Sequence, residues 1–100
     1  MRDQIPKPIH PGEVLDEVYM KSLDPPLTVN DLADSIDIPL RELTRFIAGK
    51  RPVTMPLANR LAMRFRTTIR YWLGLQSSYD QSQASRLLFV QLQTAKRPRL

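Results

Sequence analysis

Between Arg41 and Arg51 the chain reads RELTRFIAGKR, which puts four strong cations, one hydroxyl and a single acid into eleven residues. Wound as an α-helix at 100° per residue, Arg41, Thr44, Arg45 and Ala48 share one side, and Leu43, Phe46 and Ile47 share the other. Leu40 and Glu42 fall on the borders. An apolar side of that kind must face a core. The other side then offers two guanidinium groups, a hydroxyl and a small residue that lets the backbone approach a partner. Arginine can donate two hydrogen bonds to the O6 and N7 edge of guanine. Threonine can bond a base edge or touch a thymine methyl, as Leu40 can where the helix begins. Lys50 and Arg51, just past the helix, are placed for phosphates, which fix register without reading sequence.

Competing chemistries find little to work with. There is no cysteine and only one histidine, His10, so a metal site would need carboxylates alone, and these lie scattered over helix faces. No serine–histidine–acid set and no glycine-rich phosphate loop is present among only three glycines. Glu13, Asp16, Glu17 and Asp31 read as solvated helix starts rather than an acid–base pair, and His10 reads as a residue that opens a helix. Neither catalytic residues nor a cofactor nor a metal is expected.

The charge is polarised. Residues 1–40 hold three basic and eight acidic side chains, net −5; residues 41–70 hold eight basic and one acidic, net +7; residues 71–100 add +3. Such a swing along 100 residues suits one face to a polyanion. The N-terminus has no apolar signal-like run and nothing approaches membrane-spanning length, so a soluble cytoplasmic protein without membrane association is expected.

The elements that must position the basic helix follow from punctuation. Residues 1–10 read as a flexible arm. Pro11 suits a first helical turn, and Val14, Leu15, Val18, Tyr19 and Leu23 predict one buried face, ended at LDPP. Thr28 is an N-cap with Asp31 three residues on, opening a short helix with Leu32, Ala33 and Ile36 inside. A turn at Asp37 leads to the basic helix, about Pro39 to Ala48, which Gly49 closes in a left-handed conformation. Thr54 caps a fourth helix carrying Leu57, Ala58, Leu61, Ala62 and Phe65. Thr67 or Thr68 opens a fifth with Trp72. Together these elements predict an all-α domain of five helices over residues 11–80, followed by an extension over 81–100. In that extension Leu88, Val90 and Leu92 alternate like a strand, while Ala84, Leu87, Leu88, Leu92 and Ala95 fit a helix. The tail AKRPRL is basic and expected to be mobile.

Two short helices meeting at a tight turn form a helix-turn-helix. The segment TVNDLADSIDIPLRELTRFIAGKRPVT resembles that of lambda-repressor-like regulators of the XRE type. Together with HPGEVL and YWLGLQSSYD, the frame from about His10 to Asp80 is similar to the HigA antitoxins, once called virulence-associated protein I. The resemblance implies a homodimer that represses its own operon at a palindromic double-stranded operator. It also implies a toxin partner, HigB-like, RelE-like and mRNA-cleaving. On that frame Thr28, Leu40, Arg41, Thr44, Arg45, Lys50 and Arg51 are the DNA-contact candidates. Three positions depart from the pattern: Asp37 replaces a turn glycine, Pro39 replaces a Ser or Thr cap, and Arg66 replaces a helix-ending glycine. Two other readings stay open, a stand-alone XRE-type repressor and a protein-interaction module that binds no DNA.

Overall fold

A computed structural model describes residues 8–95, with side chains as far as residue 92. The first seven residues of the expected arm and the basic tail over 96–100 lie outside the described residues. Five helices and no strand make up the described residues. Helix α1 begins at Pro11–Val14 and continues without a break as a π-helical stretch, Leu15–Met20. Then follow α2, Val29–Ile36; α3, Leu40–Ile47; α4, Met55–Phe65; and α5, Ile69–Ala95. None of the helices is long and apolar enough to cross a membrane among the described residues.

The caps are the ones the sequence predicts. Thr28 and Thr54 accept the amides of Asp31 and Leu57 at 3.1 and 3.3 Å. Thr68 accepts that of Tyr71 at 3.0 Å. Each such bond satisfies one otherwise orphaned amide of a first turn. The segment beyond Asp80 is helical, so its strand-like alternation is overridden: a lone strand has no partner here for its backbone groups, whereas the helix satisfies them internally.

The first helix differs from its expected face. Val18 and Leu23 are 53% and 43% exposed, while Met20 is buried with Leu15. The cause is the wider winding, marked by the Lys21 amide donating to the Asp16 carbonyl at 2.8 Å across five residues. With an extra residue in the turn, position i+5 rather than i+3 comes to lie over Leu15. Tyr19 remains half-buried in a cluster with Phe65, Tyr71 and Trp72, and its phenol is pushed up to about 12 by burial and by the Tyr71 hydroxyl.

The core gathers Leu15, Leu32, Leu43, Phe46, Leu57, Leu61 and Trp72, all at most 1% exposed. Trp72 also satisfies its indole N–H on the Thr67 hydroxyl at 2.8 Å. Among the described residues no buried side-chain polar atom lacks a partner. The backbones of α1 and α3 approach closely at Gly12. At Gly12 there is no room for a side chain: a Cβ would overlap the Phe46 carbonyl oxygen and lie 2.9 Å from the Ile47 Cα. Gly74, on the open side of α5, has nothing within 4 Å.

These two glycines should respond oppositely to the same substitution. Gly12→Ala should destabilise by about 1–3 kcal/mol or more, because backbone and not a movable side chain must yield. Gly74→Ala should stabilise by about 0.5–1 kcal/mol through helix propensity. Thermal unfolding followed by circular dichroism measures both; an unchanged midpoint in Gly12→Ala would refute the close approach.

Candidate nucleic-acid interface

Helix α3 sits on α1 through Gly12 and on the core through Leu43 and Phe46, both 0% exposed. Its outer side presents Arg41, Thr44, Arg45 and Ala48, all exposed, and Leu40, 46% exposed, at its start. Among the described residues Arg41, Arg45 and Lys50 have no ion pair. Glu42, the only acid of the helix, is turned aside to Arg51, with 3.9 Å between carboxylate and guanidinium. Arg51 is consequently half-buried and tethered, unlike Lys50, which is exposed. Thr28 is exposed at the start of α2 with its hydroxyl occupied by the cap bond.

The turn before α3 is made without glycine. Asp37 takes the left-handed conformation, φ 57°, which aspartate tolerates better than most residues. The Ile38 amide reaches back to the Ala33 carbonyl at 3.1 Å and the Asp37 amide to Asp34 at 3.4 Å, which closes α2. The Ile36 and Asp37 carbonyls are met from α4: the Arg60 guanidinium donates to both, and lies 3.8 Å from the Asp37 carboxylate. A cation at the end of α2 also suits the helix dipole. Arg60 is thus a clamp on the turn, although its charge alone reads as more basic surface. Pro39 leaves the start of α3 with no side-chain cap, and φ −57° already suits the helix that follows.

At its other end α3 stops at Gly49, φ 78°, with the Lys50 amide bonded to the Arg45 carbonyl at 2.8 Å. Arg66, φ 59°, ends α4 in the same left-handed manner, at the cost of strain that glycine would avoid. The loop from α3 to α4 leans on His10. This ring is buried, accepts the Gly12 amide at Nδ1 at 2.9 Å, and meets Phe46 and Tyr79 edge-on. Burial lowers its pKa from the ordinary histidine value. A backbone hydrogen bond with Arg51 and the carboxylates of Asp80 and Glu13 oppose that shift without cancelling it.

Known proteins share this architecture. No protein-family model matches the chain. YbaQ of Escherichia coli K12, an uncharacterized HTH-type transcriptional regulator, is 35% identical over 80 residues, covering 80% of this chain and 69% of the relative. The structure of an addiction-module antidote protein of the HigA family from Coxiella burnetii is 36% identical. It covers 94% of this chain and 100% of its own, with a TM-score of 0.78. The chain belongs to the HigA family of helix-turn-helix regulators. This family is regulatory and not enzymatic. A further HigA, the Pseudomonas aeruginosa antitoxin solved with the higBA promoter, is 27% identical with a TM-score of 0.75, over 93% of this chain and 99% of its own.

Within this HigA fold, the residues that sequence reasoning missed are Gly12, Arg60 and Gln76. The signal for Gln76 was available: Gln76, Tyr79 and Asp80 recur at i, i+3 and i+4 on one face of α5. Gly12 and Arg60 carried no comparable signal, because each acts on backbone atoms far away in the chain.

His10 generates a pH dependence with a defined sign. Unfolded, it binds a proton near pH 6.5; folded, it resists one because the ring is buried, and a protonated Nδ1 could not accept the Gly12 amide. The unfolded state therefore binds more protons between the folded pKa and the ordinary histidine value, and stability should fall as pH drops through that ordinary value, levelling off below the lowered folded pKa. Unfolding midpoints against pH, compared with His10→Asn, which keeps a cap acceptor but does not titrate, measure the effect. Parallel curves for the two proteins would exclude it.

Proposed function

We propose that this protein is a HigA-type antitoxin that binds a palindromic operator as a homodimer, represses its own operon and neutralises a small mRNA-cleaving toxin. The observation that carries the reading is the outer face of α3. Arg41, Thr44 and Arg45 stand exposed and unpaired among the described residues, on a helix whose inner residues Leu43 and Phe46 are fully buried. Arg41 and Arg45 would read base edges in a major groove, with Thr44 and Leu40 beside them, while Lys50, Arg51 and the start of α2 at Thr28 would meet phosphates. Support comes from the solved relative that carries its own promoter DNA.

A dimer fits the geometry of operators, because one such helix covers only a few base pairs and two copies one helical turn apart cover a site. Support for pairing comes from the far end of α5. There Leu87, Leu88 and Leu92 are 62%, 56% and 53% exposed, well beyond Trp72, the last buried core residue. We take residues 11–80 as the DNA-binding unit and 81–100 as the extension that serves pairing. Alanine at position 41 or 45 should weaken binding to the DNA immediately upstream of the reading frame by about 1–3 kcal/mol, leaving helicity intact. Gel shifts with that duplex, at two copies of the chain per duplex, measure it; affinity unchanged in both variants would overturn the reading.

The likeness to an HTH-type regulator that carries no antitoxin name favours a second reading, a repressor without a toxin. The two separate on co-expression with the product of the adjoining reading frame. The antitoxin reading expects the two proteins to co-purify, and growth arrest by the neighbour alone to be relieved by this chain. A neighbour that neither binds nor arrests growth leaves the stand-alone repressor.

A further inference from the structure

The loop that carries Lys50 and Arg51, residues 48–54, is neither helix nor strand, yet its backbone is held at defined points. The Val53 amide donates to Gln76 Oε1 in α5 at 2.8 Å. The other end of the same side chain is occupied too, with Gln76 Nε2 donating to Asp80 Oδ1 at 3.1 Å, one turn further on. Beside them Tyr79 stands edge-on to His10, ring centroids 4.9 Å apart, and the His10 ring lies against the loop at Gly49. None of this belongs to the exposed face of α3. All of it acts on the loop that follows that helix.

We infer that Gln76 is a positioning residue for phosphate binding: by fixing the Val53 amide it holds the loop in the shape from which Lys50 and Arg51 reach the DNA backbone. The role rests on the DNA-binding reading above. A primary amide suits it because it both accepts and donates, so Asp80 can grip the side chain while the side chain grips Val53. Leucine fills similar space and offers neither bond. Glutamate keeps the acceptor for Val53 but faces the Asp80 carboxylate with no donor. A loop released in this way must be ordered by each binding event, which costs affinity. Base reading should be spared, since Arg41 and Arg45 lie on α3 itself, which is seated by Gly12, Leu43 and Phe46.

Salt dependence separates this role from mere support of the fold. Fluorescence anisotropy would follow a labelled duplex of the DNA immediately upstream of the reading frame, and a shuffled duplex of equal length, across a salt series. For Gln76→Leu the slope of log affinity against log salt should become shallower by about 0.9 for each phosphate no longer neutralised, up to about 3.6 for a dimer in which neither cation of either copy reaches its phosphate. The affinity ratio between the two duplexes should not change. Exchanging the two groups, Gln76→Glu with Asp80→Asn, lets a carboxylate accept from both Val53 and Asn and should restore the wild-type slope. Gln76→Glu alone should not. A wild-type slope in a folded Gln76→Leu overturns the proposal. Should that variant not fold, equal slopes for Gln76→Glu with and without Asp80→Asn overturn it instead. A wild-type chain that binds neither duplex removes the DNA reading itself, and this role with it.

Discussion

Everything about the basic helix depends on one close approach, that of the α1 backbone at Gly12 to the Phe46 carbonyl of α3. A helix as short as Leu40–Ile47 has too few internal bonds to persist by itself, so its stability comes from packing. Leu43 and Phe46 supply the buried area, each worth about 1.5–3 kcal/mol. Gly12 supplies the distance, letting two backbones meet where any side chain would keep them apart. Once α3 is seated this way its rotation is fixed. Leu43 and Phe46 cannot turn outward without exposing apolar surface, so Arg41 and Arg45 cannot turn inward.

The ends of the helix are fixed by different means. In front of it, the left-handed Asp37 and the Arg60 clamp set the angle between α2 and α3. Behind it, Gly49 stops the helix, and the loop that follows is held from His10 and Gln76. The glycine missing from the turn is therefore offset. A residue with a small conformational cost stands at the position, and an arginine from α4 takes up the carbonyls left over. That arrangement makes α4 part of the support for α3, a dependence invisible in either helix considered separately.

What the sequence disclosed and what it hid divide along a physical line. Caps, helix ends and the outward stripe were legible, because Thr28, Thr54, Thr68 and Gly49 act on amides and carbonyls within a few residues of themselves. The same holds for the turn at Asp37, a residue whose short side chain tolerates the left-handed geometry it adopts. The π-helical stretch was not legible, since Val18 and Leu23 keep a good α-helical spacing and only the tertiary seat of Met20 rewards the wider turn. Arg60 counted simply as charge: a guanidinium turned onto carbonyls twenty-odd residues away looks in sequence like one turned to solvent. His10 was legible as the opening of a helix, but its contact with Tyr79 required α5 to fold back across the first helix.

The charge pattern of α3 is a conflict that the isolated chain does not resolve. Arg41 and Arg45 stand at i and i+4, a spacing at which like charges destabilise a helix by about 0.2–0.5 kcal/mol. Glu42, the one acid able to relieve them, is committed to Arg51. Lys21, by contrast, meets both Asp16 and Glu17, at 3.2 and 2.9 Å. The repulsion between Arg41 and Arg45 is therefore left uncompensated on a surface that the seated core turns outward. Sites that violate local rules without internal compensation are expected where a partner supplies it. A partner that relieves two adjacent guanidiniums and a nearby lysine must present regularly spaced negative charge and paired acceptors. The edge and backbone of a nucleic-acid duplex offer both.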